Sequence, residues 1–160
     1  MKKIHLVLFF MTGLINLSWG QAIVEDSIVD AREIMQKTDE YCEQLQYFRR
    51  NYDDFAVEQS LLILEELISM GRQIRIPIDQ GLQAGVFTDK SERNYVKTVG
   101  KQLGKIDKSL DRLEEYVRLQ NYKRKSSQPG GHSPIETQYF SNISRSVKII
   151  NKEERISSIK

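Results

Sequence analysis

The amino-acid sequence predicts an all-α protein: an elongated helical hairpin or three-helix core with coiled-coil-like heptads, followed by a short C-terminal helix. Three observations carry that prediction. Apolar residues recur at steps of three and four from about residue 24 onward. One stretch holds the pattern through three full heptads, Val96 to Val117. Capping signals stand just before the third and fourth periodic segments.

In the first segment, Val24, Ile28, Ala31, Met35, Cys42 and Leu45 follow alternating steps of four and three, with Thr38 filling the gap. A second lane of Tyr41, Leu45, Phe48, Tyr52 and Phe55 continues it with larger rings. Together they predict a long amphipathic helix over roughly 23 to 50. A second helix is expected over about 55 to 75, with Val57, Leu61, Leu64, Leu67, Ile68 and Ile74 on one side. Pro77 should end or kink it, because proline has no amide hydrogen and disfavours helix at Ile76. Gly81 and Gly85 mark a looser connection up to Phe87.

The third helix has the cleanest pattern: Val96, Val99, Leu103, Ile106, Leu110, Leu113 and Val117, without a miss. Asp89 followed by Glu92 gives a capping-box-like start, with aspartate accepting an early amide hydrogen bond. Gly100 and Gly104 each weaken the helix by about 1 kcal/mol relative to alanine, and they permit a close helix crossing. Lys123 to Gly131 reads as a linker of basic residues, serines, a proline and two glycines. Ser133-Pro134-Ile135-Glu136 then supplies an N-cap serine, a first-turn proline and a third-position glutamate. Phe140, Ile143, Val147 and Ile150 continue at helical spacing, so a helix is favoured although Ser144 to Ile150 also alternates like a strand. The last eight residues should fray.

The first twenty residues have the three-part layout of a secretory signal peptide. Lys2, Lys3 and His5 form the basic head, Leu6 to Leu17 the largely apolar run, and Ser18-Trp19-Gly20 a cleavage site before Gln21. The run is about a dozen residues, short of the roughly 20 that a spanning helix needs. A mature chain of 140 residues in the periplasm or outside the cell is therefore expected, with no stable membrane span after cleavage. The expected layout is a signal peptide over 1–20, a helical domain over 21–122, a linker over 123–132 and a short basic helix and tail over 133–160.

Cleavage also changes the charge argument. The full chain carries 24 basic and 22 acidic residues, and losing Lys2 and Lys3 leaves 22 of each. A general nucleic-acid affinity thus loses its support, and no direct nucleic-acid partner is expected. The charges are nevertheless sorted: net −7 over Gln21 to Phe87, +2 over Thr88 to Asn121, +5 over Tyr122 to Lys160. Such an arrangement can attract within one molecule or between copies.

Catalytic and metal chemistry find few parts. The one mature histidine, His132, sits in the linker, and the one cysteine, Cys42, sits on a helix lane. A nucleophile needs a base beside it, and these two are not placed together. Two soft ligands do not close a zinc site, so neither a metal nor any other cofactor is expected. A lone cysteine excludes an intrachain disulfide, leaving a buried apolar thiol or a bridge between chains. The carboxylate pairs Asp53-Asp54, Glu65-Glu66 and Glu114-Glu115 raise the question of glycoside cleavage, which runs on two carboxyl groups. Adjacent helical residues point about 100° apart, however, so each pair splits between faces. Tyr47, Phe48, Arg49, Arg50 and Tyr52 remain as the candidate partner-binding patch, set against the ordinary role of such rings in closing a helix hairpin.

At Leu82-Gln83-Ala84-Gly85-Val86-Phe87-Thr88 a glycine, an aromatic and a threonine open the long heptad helix. With the signal cut before glutamine and a long polar helix ahead, residues 1 to 122 resemble the secreted helical proteins of bacterial conjugation gene clusters. Members of that family have a longer mature helical region; here a linker and basic tail follow instead. The resemblance implies a non-enzymatic periplasmic structural or adaptor protein of a conjugation or type IV secretion apparatus, whose partners are other protein subunits, its own copies included. The alternative is a periplasmic helical binding or chaperone-like module, and an envelope hydrolase is the remote third reading.

Overall fold

The computed structural model describes residues 30–123 and 133–158, with the side chains of 30–120 and 133–154. Among these residues there are four α-helices packed as a bundle and no strand: α1 (Ala31–Asn51), α2 (Val57–Ala84), α3 (Lys90–Lys123) and α4 (Pro134–Ser158). A single 3-10 turn, Tyr52–Asp54, joins α1 to α2. The proposed signal peptide and most of the proposed linker, including His132, lie outside the described residues.

The order of contacts gives the topology. Arg118 meets Glu65, Arg72 meets Asp111 and Arg75 meets Asp107, so α2 and α3 run antiparallel. Tyr52 bonds Glu136 and Arg49 bonds Ser144, so α1 and α4 do the same. Each helix thus runs opposite to its two ring neighbours, in an up-down-up-down bundle. α3 holds the centre, packed against both α2 and α4 along its length, and its seven seam residues are all buried.

Each start and stop has a local cause. Asp30, in extended backbone, accepts the Arg32 amide at 2.9 Å and fixes the start of α1 at Ala31. This breaks the run expected from residue 23; residues 23–29 lie outside the described residues. Asp89 Oδ1 takes the amides of Ser91 and Glu92 at 2.7 and 3.0 Å, the cap expected for α3. Ser133 and Glu136 form a complete capping box: Ser133 Oγ accepts from the Glu136 amide at 3.2 Å, and Glu136 Oε2 accepts from the Ser133 amide at 2.7 Å.

Three expectations are corrected. Pro77 does not end α2, which continues to Ala84. What carries the helix past the proline is packing: Ile78 is fully buried, and its Cγ2 lies 2.9 Å from where a Cβ on Gly100 would stand. The residue four back, Gln73, is exposed, so water can take the bond its carbonyl loses. The helix then stops in a Schellman turn. Gly85 is left-handed at φ 69°, its amide bonds the Leu82 carbonyl at 3.4 Å, and the Val86 amide bonds the Gly81 carbonyl at 3.0 Å. Phe87 folds back so that its ring occupies the space above Gly81. Gly81 is therefore helical and Gly85 is the turn.

The second correction concerns α4. It is 25 residues long and is a full member of the bundle, with Phe140, Ile143, Val147 and Ile150 buried in the same core as the other three helices. The third concerns its end, which stays helical to Ser158 where fraying was expected over the last eight residues.

Candidate interaction groove

Phe48 and Tyr52 are one helical turn apart and share the stripe that α1 turns inward. Phe48 is 1% exposed and Tyr52 9%. Their rings meet edge to face with centroids 5.4 Å apart, and Tyr52 meets Phe140 of α4 at 5.0 Å in the same manner. Phe55, just ahead of α2, stacks on Phe48 at 6.1 Å. The Tyr52 hydroxyl donates to Glu136 Oε1 at 2.9 Å, which ties the end of α1 to the capping box of α4. These two rings are therefore a hairpin closure, and Tyr47 is half-buried beside Phe55.

Arg49 and Arg50 follow Phe48 by 100° and 200° of helix rotation and stand outside. Both are in the last turn of α1, where a cation is favoured by the helix dipole. Arg49 donates to Ser144 Oγ on α4 at 2.7 Å, and Arg50 to Gln46 Oε1 at 3.4 Å. Between the two helices runs an open groove of about 170 Å³. Leu45, Ile143 and Val147 form its floor, and Arg49, Arg50 and Lys148 stand along its rim with Gln46, Ser144 and Asn151. Among the described residues none of the three cations has a carboxylate partner. Guanidinium groups stay protonated and donate in a fork that suits carboxylate or phosphate oxygens. The acidic neighbours in sequence are Asp53 and Asp54, on the 3-10 turn beyond the groove.

The structure thus divides the five-residue candidate patch. The two arginines face a groove; Phe48 and Tyr52 do not. The α4 half of the groove, Ser144 and Lys148 above all, was missed in the sequence because α4 was expected to stand apart. The available signal was the polar spacing of Ser144, Lys148 and Asn151 beside the apolar residues at 143, 147 and 150.

The buried polar groups form a separate class. Asp107 lies inside the α2–α3 seam, with Oδ2 accepting from Arg75 at 2.8 Å. Burial raises its pKa, and Asp111 adds to this, against the lowering effect of Arg75 and Arg72. Asp107 Oδ1 and the Tyr41 hydroxyl both press on Gly71, at 2.7 and 2.8 Å from the place a Cβ would take. Neither has a hydrogen-bond partner among the described residues. Cys42 is buried, and that burial pushes its thiol up to about 12, aided by Asp39 and Glu154. A thiol held protonated in this way is a poor nucleophile at neutral pH. The carboxylate pairs are dispersed: Glu65 and Glu114 both reach Arg118, while Glu66 is half-buried with its pKa raised by desolvation.

Among the described residues no three His, Cys, Asp or Glu side chains are grouped to hold a metal ion. No described helix is long and apolar enough to cross a membrane. Comparison of the chain with protein-family models, with curated proteins and with solved structures gave no match.

Proposed function

We propose that the protein is a non-enzymatic adaptor of the cell envelope that binds an acidic surface of a partner protein along the α1–α4 groove. The observation that carries this reading is the rim of three cations, Arg49, Arg50 and Lys148, gathered along one groove with no carboxylate partner among the described residues, whereas Arg72, Arg75 and Arg118 on the α2–α3 seam each meet one. Arginine is a favoured binding hot spot when a partner's carboxylate meets it bidentately. The export pattern of residues 1–20 supports an envelope location, and the resemblance over residues 1 to 122 supports a conjugation or type IV secretion apparatus as its setting.

The test is crosslinking in intact cells followed by mass spectrometry of the captured partners. Arg49→Ala/Arg50→Ala should lose the specific crosslinks while circular dichroism and melting stay as in wild type. Capture of DNA-transfer subunits by the wild type supports the apparatus reading. Many unrelated unfolded clients would favour the chaperone-like module instead. Full retention of every partner by the double variant would remove the groove from the function. Intact mass of the exported protein, expected to begin at Gln21 or two residues later after Ala22, tests the export step.

A further inference from the structure

We propose that the outward faces of α1 and α4 pair this chain with a second copy of itself: Glu40, Glu43 and Tyr47 of each copy meet Lys152, Lys148 and Arg145 of the other. Glu40, Glu43 and Tyr47 follow steps of three and four, so they share one face of α1, turned away from the buried stripe of Tyr41, Leu45 and Phe48. Arg145, Lys148 and Lys152 follow the same steps on α4, turned away from its buried Ile143, Val147 and Ile150. Both carboxylates and all three cations are exposed, and Tyr47 is half-buried. Among the described residues none of these five charges meets an opposite charge, and Glu40 accepts from the Gln36 side-chain amide at 3.1 Å.

The heights of the two columns agree. Arg49 meets Ser144 and Tyr52 meets Glu136, so α1 and α4 run antiparallel with those residues level. Glu43 comes before Arg49 by about 9 Å of helix rise, which is where α4 passes from Lys148 to Lys152. Glu40, a turn further, is level with Lys152, and Tyr47 with Arg145. A two-fold axis parallel to the helices keeps these heights and lays α1 of each copy along α4 of the other. Both carboxylates then face lysines, and the Tyr47 ring faces a guanidinium, a favourable pairing. A two-fold axis across the helices would instead set the basic column on itself. An unrelated acidic surface would satisfy α4 alone and leave the carboxylates of α1 unmet. A second copy satisfies both columns at once.

Lys148 also stands on the rim of the groove, but Arg49 and Arg50 lie beyond the last matched rung and take no part. The self-pairing thus goes beyond the groove reading and holds without it. Exposed ion pairs are individually weak and are screened by salt, so the association is weak and falls as ionic strength rises.

Sedimentation equilibrium of the mature chain tests it. At about 50 mM salt the average mass should climb toward twice that of the chain as concentration rises, and about 500 mM salt should weaken association by on the order of tenfold. Glu40→Lys/Glu43→Lys and Lys148→Glu/Lys152→Glu should each keep the mass of one chain, with helical circular dichroism unchanged. Mixed in equal amounts, the two variants should associate again, because each column then meets its opposite. The four substitutions in one chain, which leave its net charge as in wild type, should restore self-association as well. Arg49→Ala/Arg50→Ala should associate as wild type does, so loss of groove capture and loss of self-pairing are read separately. A wild type that keeps the mass of one chain at low salt and millimolar concentration would overturn the pairing. So would wild-type association by either charge variant alone, or none in their mixture.

Discussion

Two seams of the bundle, α2 against α3 and α1 against α4, are built by different rules. Across α2–α3 the charges are matched rung by rung, Glu65 with Arg118, Arg72 with Asp111 and Arg75 with Asp107. Across α1–α4 the ties are an arginine on a serine and a tyrosine on a carboxyl. Matched charge fixes a register and leaves little for a partner to take. Unmatched charge leaves cations along the rim of the second seam. The first seam is closed by its own charges, and the second keeps charge at its surface.

The sharpest way to break this contrast is to attack the α2–α3 side through the seam of α3. Ile106 and Leu110 are fully buried, and each contributes about 2 kcal/mol by leaving water. Aspartate at either position loses that and adds the cost of burying an unpaired charge, several kcal/mol more. Ile106→Asp or Leu110→Asp should unfold the bundle, read as loss of helical circular dichroism and of a cooperative melt. Native spectra and melting for both would mean that α3 is not the central helix.

A smaller effect separates two glycines on the same seam. Gly71→Ala puts a methyl against Asp107 Oδ1 and the Tyr41 hydroxyl, inside normal contact distance of both. The push should cost about 1–3 kcal/mol, more than the roughly 1 kcal/mol gained in helix propensity. At Gly104 the new methyl meets only Arg75 Nη1 at 3.7 Å, an ordinary contact. Gly104→Ala should stabilise by about 1 kcal/mol. Denaturant unfolding gives both signs, and a stabilised Gly71→Ala would show that the crossing is loose.

Most of the helices and little of the groove could be read from sequence, for reasons these residues make plain. Periodicity reports which face of a helix is apolar, so all seven seam residues of α3 were legible one by one. The caps at Asp89 and Ser133 were legible because their chemistry is local, within three residues. Pro77 misled because the local rule is sound but is overridden by Ile78 and Gly81 packing beyond it. The Leu82–Thr88 phrase that carries the family resemblance contains Gly85 and Phe87, which the Schellman turn and the ring on Gly81 use in their own right. Arg49 and Arg50 were visible, whereas Ser144 and Lys148 are nearly a hundred residues away and join them only through the fold. Phe48 and Tyr52 looked like a contact surface because aromatic residues serve cores and interfaces alike.

On the α1–α4 seam, Tyr52→Phe sharpens the comparison with a moderate loss. The ring stays against Phe140, but Glu136 Oε1 loses its donor in a buried place. The expected cost is about 1–3 kcal/mol, that of a buried polar group left unpaired. Equilibrium unfolding measures it. A loss of zero would mean that water reaches Glu136 and that the capping box alone anchors α4.

The smallest effect on stability belongs to the exposed arginines, and here the two seams should part on function alone. Arg118 reaches both Glu65 and Glu114 but is exposed, so water and salt screen its pairs and side-chain ordering offsets them. Arg118→Ala should leave melting within error of wild type, and should leave partner capture intact because its charge is already matched. Arg49→Ala/Arg50→Ala should also leave melting unchanged, since these arginines bond neutral groups on the surface. Yet it removes two of the three rim cations of the groove and should weaken capture, the more so at low ionic strength where wild-type attraction is strongest. Equal capture by the two variants at every salt concentration would erase the functional difference between the seams and leave the groove an ordinary solvated surface.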